Sequence, residues 1–230
     1  MRTLSFAFCV CAWFWASDLH AQDTQQPLSE PEIVTDVLNS LPSDVLSAEK
    51  WAEVEASIER GLAWLDSQQQ PDGSFPTYPS GQPGITGLVV MAFMSSGYEP
   101  SNGKYGDTLR SAIDFMISTQ QDDGLYSFVK PVQPVTKWHQ ATHTSIYNHA
   151  IAGLALSEAY GMSSGQNLST LTQSIEKGLR LAFNKQRPPG PHKIEDGGWG
   201  YLEYANQGPN SGETDLSVTG WYLDVVAIGC

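Results

Sequence analysis

Three histidines fall within eleven residues of the stretch WHQATHTSIYNH, at His139, His143 and His149. Clustered imidazoles are a common donor set for zinc. Here the spacings are three and five intervening residues, so only His139 and His143 suit one helical face. Pro131 and Pro134 just upstream place that pair in a loop. We assign no metal and no cofactor to them. The chain carries no G-x-S-x-G, P-loop or H-E-x-x-H pattern. Its other candidates for proton chemistry are carboxylates: Asp72, Asp122, Asp123, Glu195, Asp196 and Asp215.

Most of these acids belong to a repeated pattern. The segment RGLAWLDSQQQPDGSF, Arg60 to Phe75, matches SAIDFMISTQQDDGLY, Ser111 to Tyr126, when shifted by 51 residues. Gln69 then falls on Gln120, Gly73 on Gly124 and Phe75 on Tyr126. Shifted by 117, it meets KGLRLAFNKQ from Lys177, with Gln69 on Gln186. After the insertion RPPGPHKIE the pattern resumes as Asp196-Gly197-Gly198-Trp199. Asp72, Asp123 and Asp196 thus share one position, with Asp122 and Glu195 beside it. A residue present in every copy reads as structure before catalysis. An Asp-Gly pair makes a turn: Asp bonds the backbone two residues on, and Gly takes a positive φ. The glutamine sits near the end of a helix, where carbonyls lack partners and a side-chain amide can donate.

The elements that carry these turns are helices. Ser47 is a candidate N-cap for a helix with Trp51, Val54, Ile58, Leu62 and Leu65 along one face. Each turn is followed by an apolar segment: GITGLVVMAFMSSGY, YNHAIAGLALSEAYGM and DLSVTGWYLDVVAIG. These hold almost no charge, so helices built from them are expected to be buried on most faces. The unit is a hairpin of an amphipathic outer helix, a turn with an aromatic, and an apolar inner helix. Stacked copies bury what one hairpin cannot.

Residues that break the repeat are the better site candidates. With the inner segments registered on Thr86, Ala150 and Thr219, His149 stands where the others carry Ile85 and Val218. Asp215 begins the third inner helix, either as its N-cap or as an acid. His149 is either a core histidine or an acid/base group lining a cavity. We name Asp215 and His149 as catalytic candidates, and Tyr147, Asn148, Trp199, Trp221 and Tyr222 as ligand contacts.

The N-terminus reads differently. Met1 and Arg2, the apolar run Leu4 to Trp15, and a small-residue end at Ala21 have the layout of a secretory signal peptide over 1–21. The run is shorter than the roughly 20 apolar residues a bilayer span needs. Cys9 and Cys11 lie inside it, which leaves only Cys230, so no internal disulfide is expected in the exported chain. Residues 22–46 are polar, with Pro27, Pro31 and Pro42, and read as a linker with one short helix over Glu32–Asn39. Residues 47–230 form the repeat domain. The 12 basic and 25 acidic residues leave a net charge of −13, which argues against nucleic acid and stable membrane association. A neutral, apolar or cationic ligand suits it better, in the periplasm or outside the cell.

The segment Arg60 to Phe75 resembles the QW repeat of squalene–hopene and oxidosqualene cyclases, whose superfamily includes the β subunits of protein prenyltransferases. YNHAIAGLALSEAYGM, DGGWGY and DLSVTGW resemble most specifically a group of exported bacterial proteins identified as squalene cyclase C-terminal-like or prenyltransferase and squalene oxidase repeat proteins. The resemblance spans Trp51 to Cys230. It implies an all-α fold, an α/α toroid whose inner helices line a central cavity, with three hairpins present here. An open flank of such a partial ring would be a dimer interface. The Asp-x-Asp-Asp motif with which these cyclases protonate a double bond is absent, and no cysteine between 22 and 229 could serve a prenyltransferase zinc site. Three functions follow: a binding or scaffold toroid for an apolar or extended small molecule or a protein; a cyclase or prenyltransferase-class enzyme using Asp215 or His149; and a carbohydrate-active toroid.

Overall fold

The computed structural model describes residues 46–100, 102–131, 140–163, 168–188, 197–202 and 214–229. The expected signal peptide, the expected helix Glu32–Asn39, His139, Glu195 and Asp196 lie outside them. The described residues form an all-α structure of six helices, without a strand. They are α1 (Ala48–Ser67), α2 (Gly84–Ser95), α3 (Gly106–Ser118), α4 (Gln140–Met162), α5 (Leu168–Lys185) and α6 (Leu216–Gly229).

Helices α1, α3 and α5 are amphipathic, and their polar faces meet water. Glu59 of α1 accepts hydrogen bonds from the hydroxyls of Tyr98 at 2.8 Å and Tyr105 at 2.9 Å, and pairs with Lys104. The Lys104 ammonium, followed by the two phenols, holds the Glu59 carboxyl down at about 2. This ties α1 to the chain that enters α3.

The apolar helices are packed around α4. On one side, the Gly84 N–H donates to Oδ1 of Asn148 at 3.2 Å. A Cβ on Gly87 would stand 3.2 Å from the Ile151 methyl. On the other side, Tyr147 meets Ser217, and a Cβ on Gly153 would stand 3.3 Å from Val225. Contacts advance in the same direction on both sides, so α2, α4 and α6 run parallel. α4 also divides its residues between two cores. Ala152, Ala155, Leu156 and Ala159 join Val90, Phe93, Leu109 and Met116 in one. Ile146, Ala150 and Leu154 join Trp199, Val218, Tyr222 and Val225 in the other.

Burial on most faces holds for α4 and for α2, but not for α6. Ile85 and Leu88 of α2 are exposed, and on α6 so are Leu216, Leu223 and Ile228. α2 also packs on α3 and α6 on α5, and what neither neighbour covers of their apolar surface is left to solvent. His143, expected in a loop, lies on α4.

The turns are built as the Asp-Gly pairs suggest. Asp72 Oδ1 accepts the Ser74 N–H at 3.0 Å, and Asp123 Oδ1 accepts the Leu125 N–H at 3.0 Å. Gly73, Gly124 and Gly197 have φ of 88°, 100° and 81°. The glutamines, however, do not cap their own helices. Gln69 Nε2 donates to the Gly73 carbonyl at 3.2 Å and to the Thr108 carbonyl of α3 at 2.8 Å. Gln120 Nε2 donates to the Gly124 carbonyl at 3.2 Å and to the Ser174 carbonyl of α5 at 2.8 Å. The turn glycines abut the same two helices: a Cβ would stand 2.2 Å from the Ser111 carbonyl at Gly73 and 2.4 Å from the Lys177 carbonyl at Gly124. Each Gln and Gly therefore clasp one turn of the following amphipathic helix.

Candidate functional site

Each turn ends in a buried aromatic whose backbone N–H needs an acceptor. Phe75 donates to Thr86 Oγ1 at 3.2 Å, Tyr126 to His149 Nδ1 at 3.3 Å, and Trp199 to Thr219 Oγ1 at 3.0 Å. His149 therefore takes the position of Thr86 and Thr219, one residue away from the alignment that set it against Ile85 and Val218. It performs the shared task with a ring nitrogen in place of a hydroxyl.

The His149 ring lies between Tyr126 (centroids 5.4 Å apart) and Tyr222 (5.6 Å), and Trp199 continues the stack beyond Tyr222 at 5.4 Å. Because Nδ1 accepts, the proton of the neutral ring is on Nε2. Among the described residues, the Tyr222 hydroxyl is buried without a hydrogen-bond partner, and Nε2 is buried with none in good geometry, the Gly178 carbonyl being the backbone group that acts on the ring. Burial pushes the imidazole down to about 4, against weaker opposition from the Gly178 carbonyl and Asp123. The cleft bordering His149, Gly178 and Val225 is too narrow for a water molecule. His149 is thus neutral near pH 7 and walled from solvent.

Asp215 caps α6. Its Oδ1 accepts the Ser217 N–H at 2.8 Å, the Val218 N–H at 3.0 Å and the Ser217 hydroxyl at 2.6 Å. The Ser217 hydroxyl and then the Val218 amide hold its pKa below the usual carboxylate value. An ionised carboxylate at a helix N-terminus is also favoured by the exposed amides there. As a cap, Asp215 is a poor proton donor.

Around that cap the structure gathers groups from three segments. The Tyr147 hydroxyl of α4 lies 2.5 Å from Ser217 Oγ and 3.3 Å from the Tyr201 hydroxyl. Tyr201 donates to Asp215 Oδ2 at 3.3 Å, and the His143 ring meets it edge-on at 5.0 Å. The Tyr147 hydrogen bond and then burial raise the Tyr201 phenol. Tyr147, Tyr201, Asp215 and Trp221 are each partly open to solvent. Sequence reasoning missed Tyr201, Ser217 and His143 as members of this group.

The remaining candidates are fasteners. Asn148 Nδ2 donates to the carbonyls of Ser80 and Gln82, each at 2.9 Å, while its Oδ1 takes the Gly84 N–H. It therefore pins the entry of α2 to α4. Trp199 Nε1 donates to the Ala182 carbonyl at 2.8 Å. The structure brings Asp215 and Tyr147 together and brings His149 to Trp199 and Tyr222. A separate groove of about 290 Å³ opens beside Tyr160, Glu176 and Ile228.

Among the described residues, no three His, Cys, Asp or Glu are grouped to hold a metal, and no helix is long and apolar enough to cross a membrane. No family model matches the chain, and no solved structure matches it.

Proposed function

We propose that this chain is an exported binding protein built as part of an α/α toroid, resembling the squalene–hopene cyclase and prenyltransferase repeat proteins without their chemistry. It takes an apolar or extended small molecule where the parallel helices α2, α4 and α6 begin. The observation that carries this reading is the employment of both acid/base candidates. Asp215 is an ionised cap and His149 is a walled-in acceptor, so neither is poised to move a proton. The recurring clasps and aromatic N–H acceptors support the hairpin repeat.

At the helix mouths, the Tyr147 and Tyr201 hydroxyls offer hydrogen bonds, and the half-buried Trp221 packs against the same core as both tyrosines. The exposed Ile85 and Leu88 of α2 offer apolar contact. Aromatic and apolar lining with a few polar groups is the usual make-up of a small-molecule site.

The test is titration of tryptophan fluorescence with squalene and with prenyl diphosphates, alongside product analysis after long incubation. Saturable binding of squalene, weakened about tenfold in Tyr147→Ala, with substrate recovered unchanged, supports the proposal. Product formation that is lost in Asp215→Ala overturns it in favour of an enzyme.

A further inference from the structure

Two of the three Gln–Gly clasps hold a helix, and among the described residues no helix fills the third. Gln186 Nε2 donates to the Gly197 carbonyl at 2.8 Å, as Gln69 and Gln120 do to their turn glycines. Its second amide hydrogen finds no carbonyl of a following helix among the described residues. A Cβ built on Gly197 meets nothing within 4 Å, where the same atom on Gly73 or Gly124 would strike backbone.

The filled clasps specify what fits the empty one. The first grips α3 with Gln69 on Thr108 and Gly73 on Ser111, and the small Ala112 is buried next to them. The second grips α5 with Gln120 on Ser174 and Gly124 on Lys177. There Gly178 leaves room for the Tyr126 ring, since a Cβ would lie 2.8 Å from it. The gripped helix therefore carries Ser or Thr, then a small residue four positions on, with an aliphatic side chain right after the hydroxyl residue. That aliphatic residue is 0% exposed at Leu109 and 9% at Ile175.

One further helix of this chain has the same pattern, and no described residue clasps it in this way. Shifting α3 back by 51 residues, or α5 back by 117, places Ser57, Ile58 and Gly61 of α1 at these positions. Ser57 and Gly61 are exposed, and a Cβ on Gly61 meets nothing within 4 Å. Ile58 is 47% exposed, where its two counterparts are buried. Arg60 stands at the position of Lys177, which donates to the Gln121 carbonyl at 3.0 Å in the second clasp. The equivalent acceptor beside the empty clasp is the Arg187 carbonyl.

We propose that two copies of this chain associate head to tail, with the Ser57–Gly61 face of α1 in one copy seated in the Gln186–Gly197 clasp of the other. The contact repeats an internal packing of the chain between molecules. Because the two surfaces differ, it is heterologous: each copy offers one of each kind, so association either closes a ring or continues. The inference rests on the hairpin part of the proposed function and not on the ligand.

Sedimentation velocity on the full chain, from about 1 to 100 µM, tests it. The expected result is a concentration-dependent oligomer. Gly61→Trp fills the gripped face with a side chain that has open space in its own copy, and should give a monomer with an unchanged melting curve. Gln186→Glu replaces the donor with a carboxylate facing carbonyl oxygens, and should also give a monomer. An equimolar mixture of the two variants retains one intact clasp and one intact α1 face, and should form a 1:1 heterodimer. A wild-type monomer at 100 µM, an oligomer that survives Gly61→Trp, or a mixture that stays monomeric overturns the proposal. None of these outcomes depends on the squalene titration, so the two failures are distinguishable.

Discussion

The backbone N–H of Tyr126 ends on the ring nitrogen Nδ1 of His149, 3.3 Å away, in the position where Phe75 and Trp199 find threonine hydroxyls. This single substitution of acceptor type introduces a titratable group into an otherwise non-titrating joint. Protonation of Nδ1 removes the acceptor and places a charge among Tyr126, Tyr222 and Val225.

The joint should make stability depend on pH. The folded pKa of about 4 lies below the ordinary 6.5, so the unfolded chain binds more protons between those values. Stability is therefore full above pH 6.5 and falls as pH drops from 6.5 toward 4, by about 3 kcal/mol at most. Glu59, Asp72 and Asp215 have lowered pKa values, so their contributions are lost only at lower pH, as it falls below the ordinary carboxylate range. Urea unfolding at pH 7.5, 6.5, 5.5 and 5.0 measures the slope. His149→Thr keeps an acceptor, creates a cavity and should flatten the profile in this window.

The two filled clasps should be worth more than the open one. Gln120→Ala strands the Gly124 and Ser174 carbonyls of a half-buried joint and should cost about 1–3 kcal/mol. Gln186→Ala removes one exposed hydrogen bond and should cost under about 1 kcal/mol in the monomer. Chemical denaturation of both variants checks the order.

A methyl group discriminates between turn glycines. Gly124→Ala combines a φ of 100° with backbone 2.4 Å from the new Cβ, and should cost about 3 kcal/mol or more. Gly97→Ala has a similar φ of 85° but open space, and should cost about 1 kcal/mol. Equal melting temperatures for the two would contradict the clasp geometry.

As a cap, Asp215 should tolerate an amide better than a methyl. Asp215→Asn keeps an oxygen for the Ser217 and Val218 amides and should lose a few tenths of a kcal/mol, whereas Asp215→Ala should lose about 1 kcal/mol. Thermal unfolding followed by circular dichroism resolves that difference.

The turns were legible because their chemistry is local. Asp72 and Gly73 specify one chain reversal with their own side chain and φ, and the spacing of Gln69 to Phe75 recurs. The role of His149 was not legible, because an imidazole nitrogen and a threonine hydroxyl accept alike while looking unrelated in sequence. Aligning on Thr86, Ala150 and Thr219 displaced the histidine by one. The group around Asp215 was hidden for another reason. Tyr201 and Ser217 join Tyr147 only when α4 and α6 pack side by side, and nothing near Tyr147 encodes that contact. The apolar segment of α6 likewise revealed its helix but not which side would lack a neighbour.

Helix α4 contributes side chains to both cores, and this makes it the seam of the molecule. Besides α4, the second clasp joins the chain before it to the chain after it, through Gln120 and Tyr126 on Ser174, and Leu171 and Ile175 of α5 enter the first core. Opening either core alone leaves α4 held by the other, so its central amides, around Ala152 to Leu156, exchange with solvent only when both give way. The slowest hydrogen exchange in the protein thus belongs to the helix that carries His149, and protection decays outward from it toward α1 and α6.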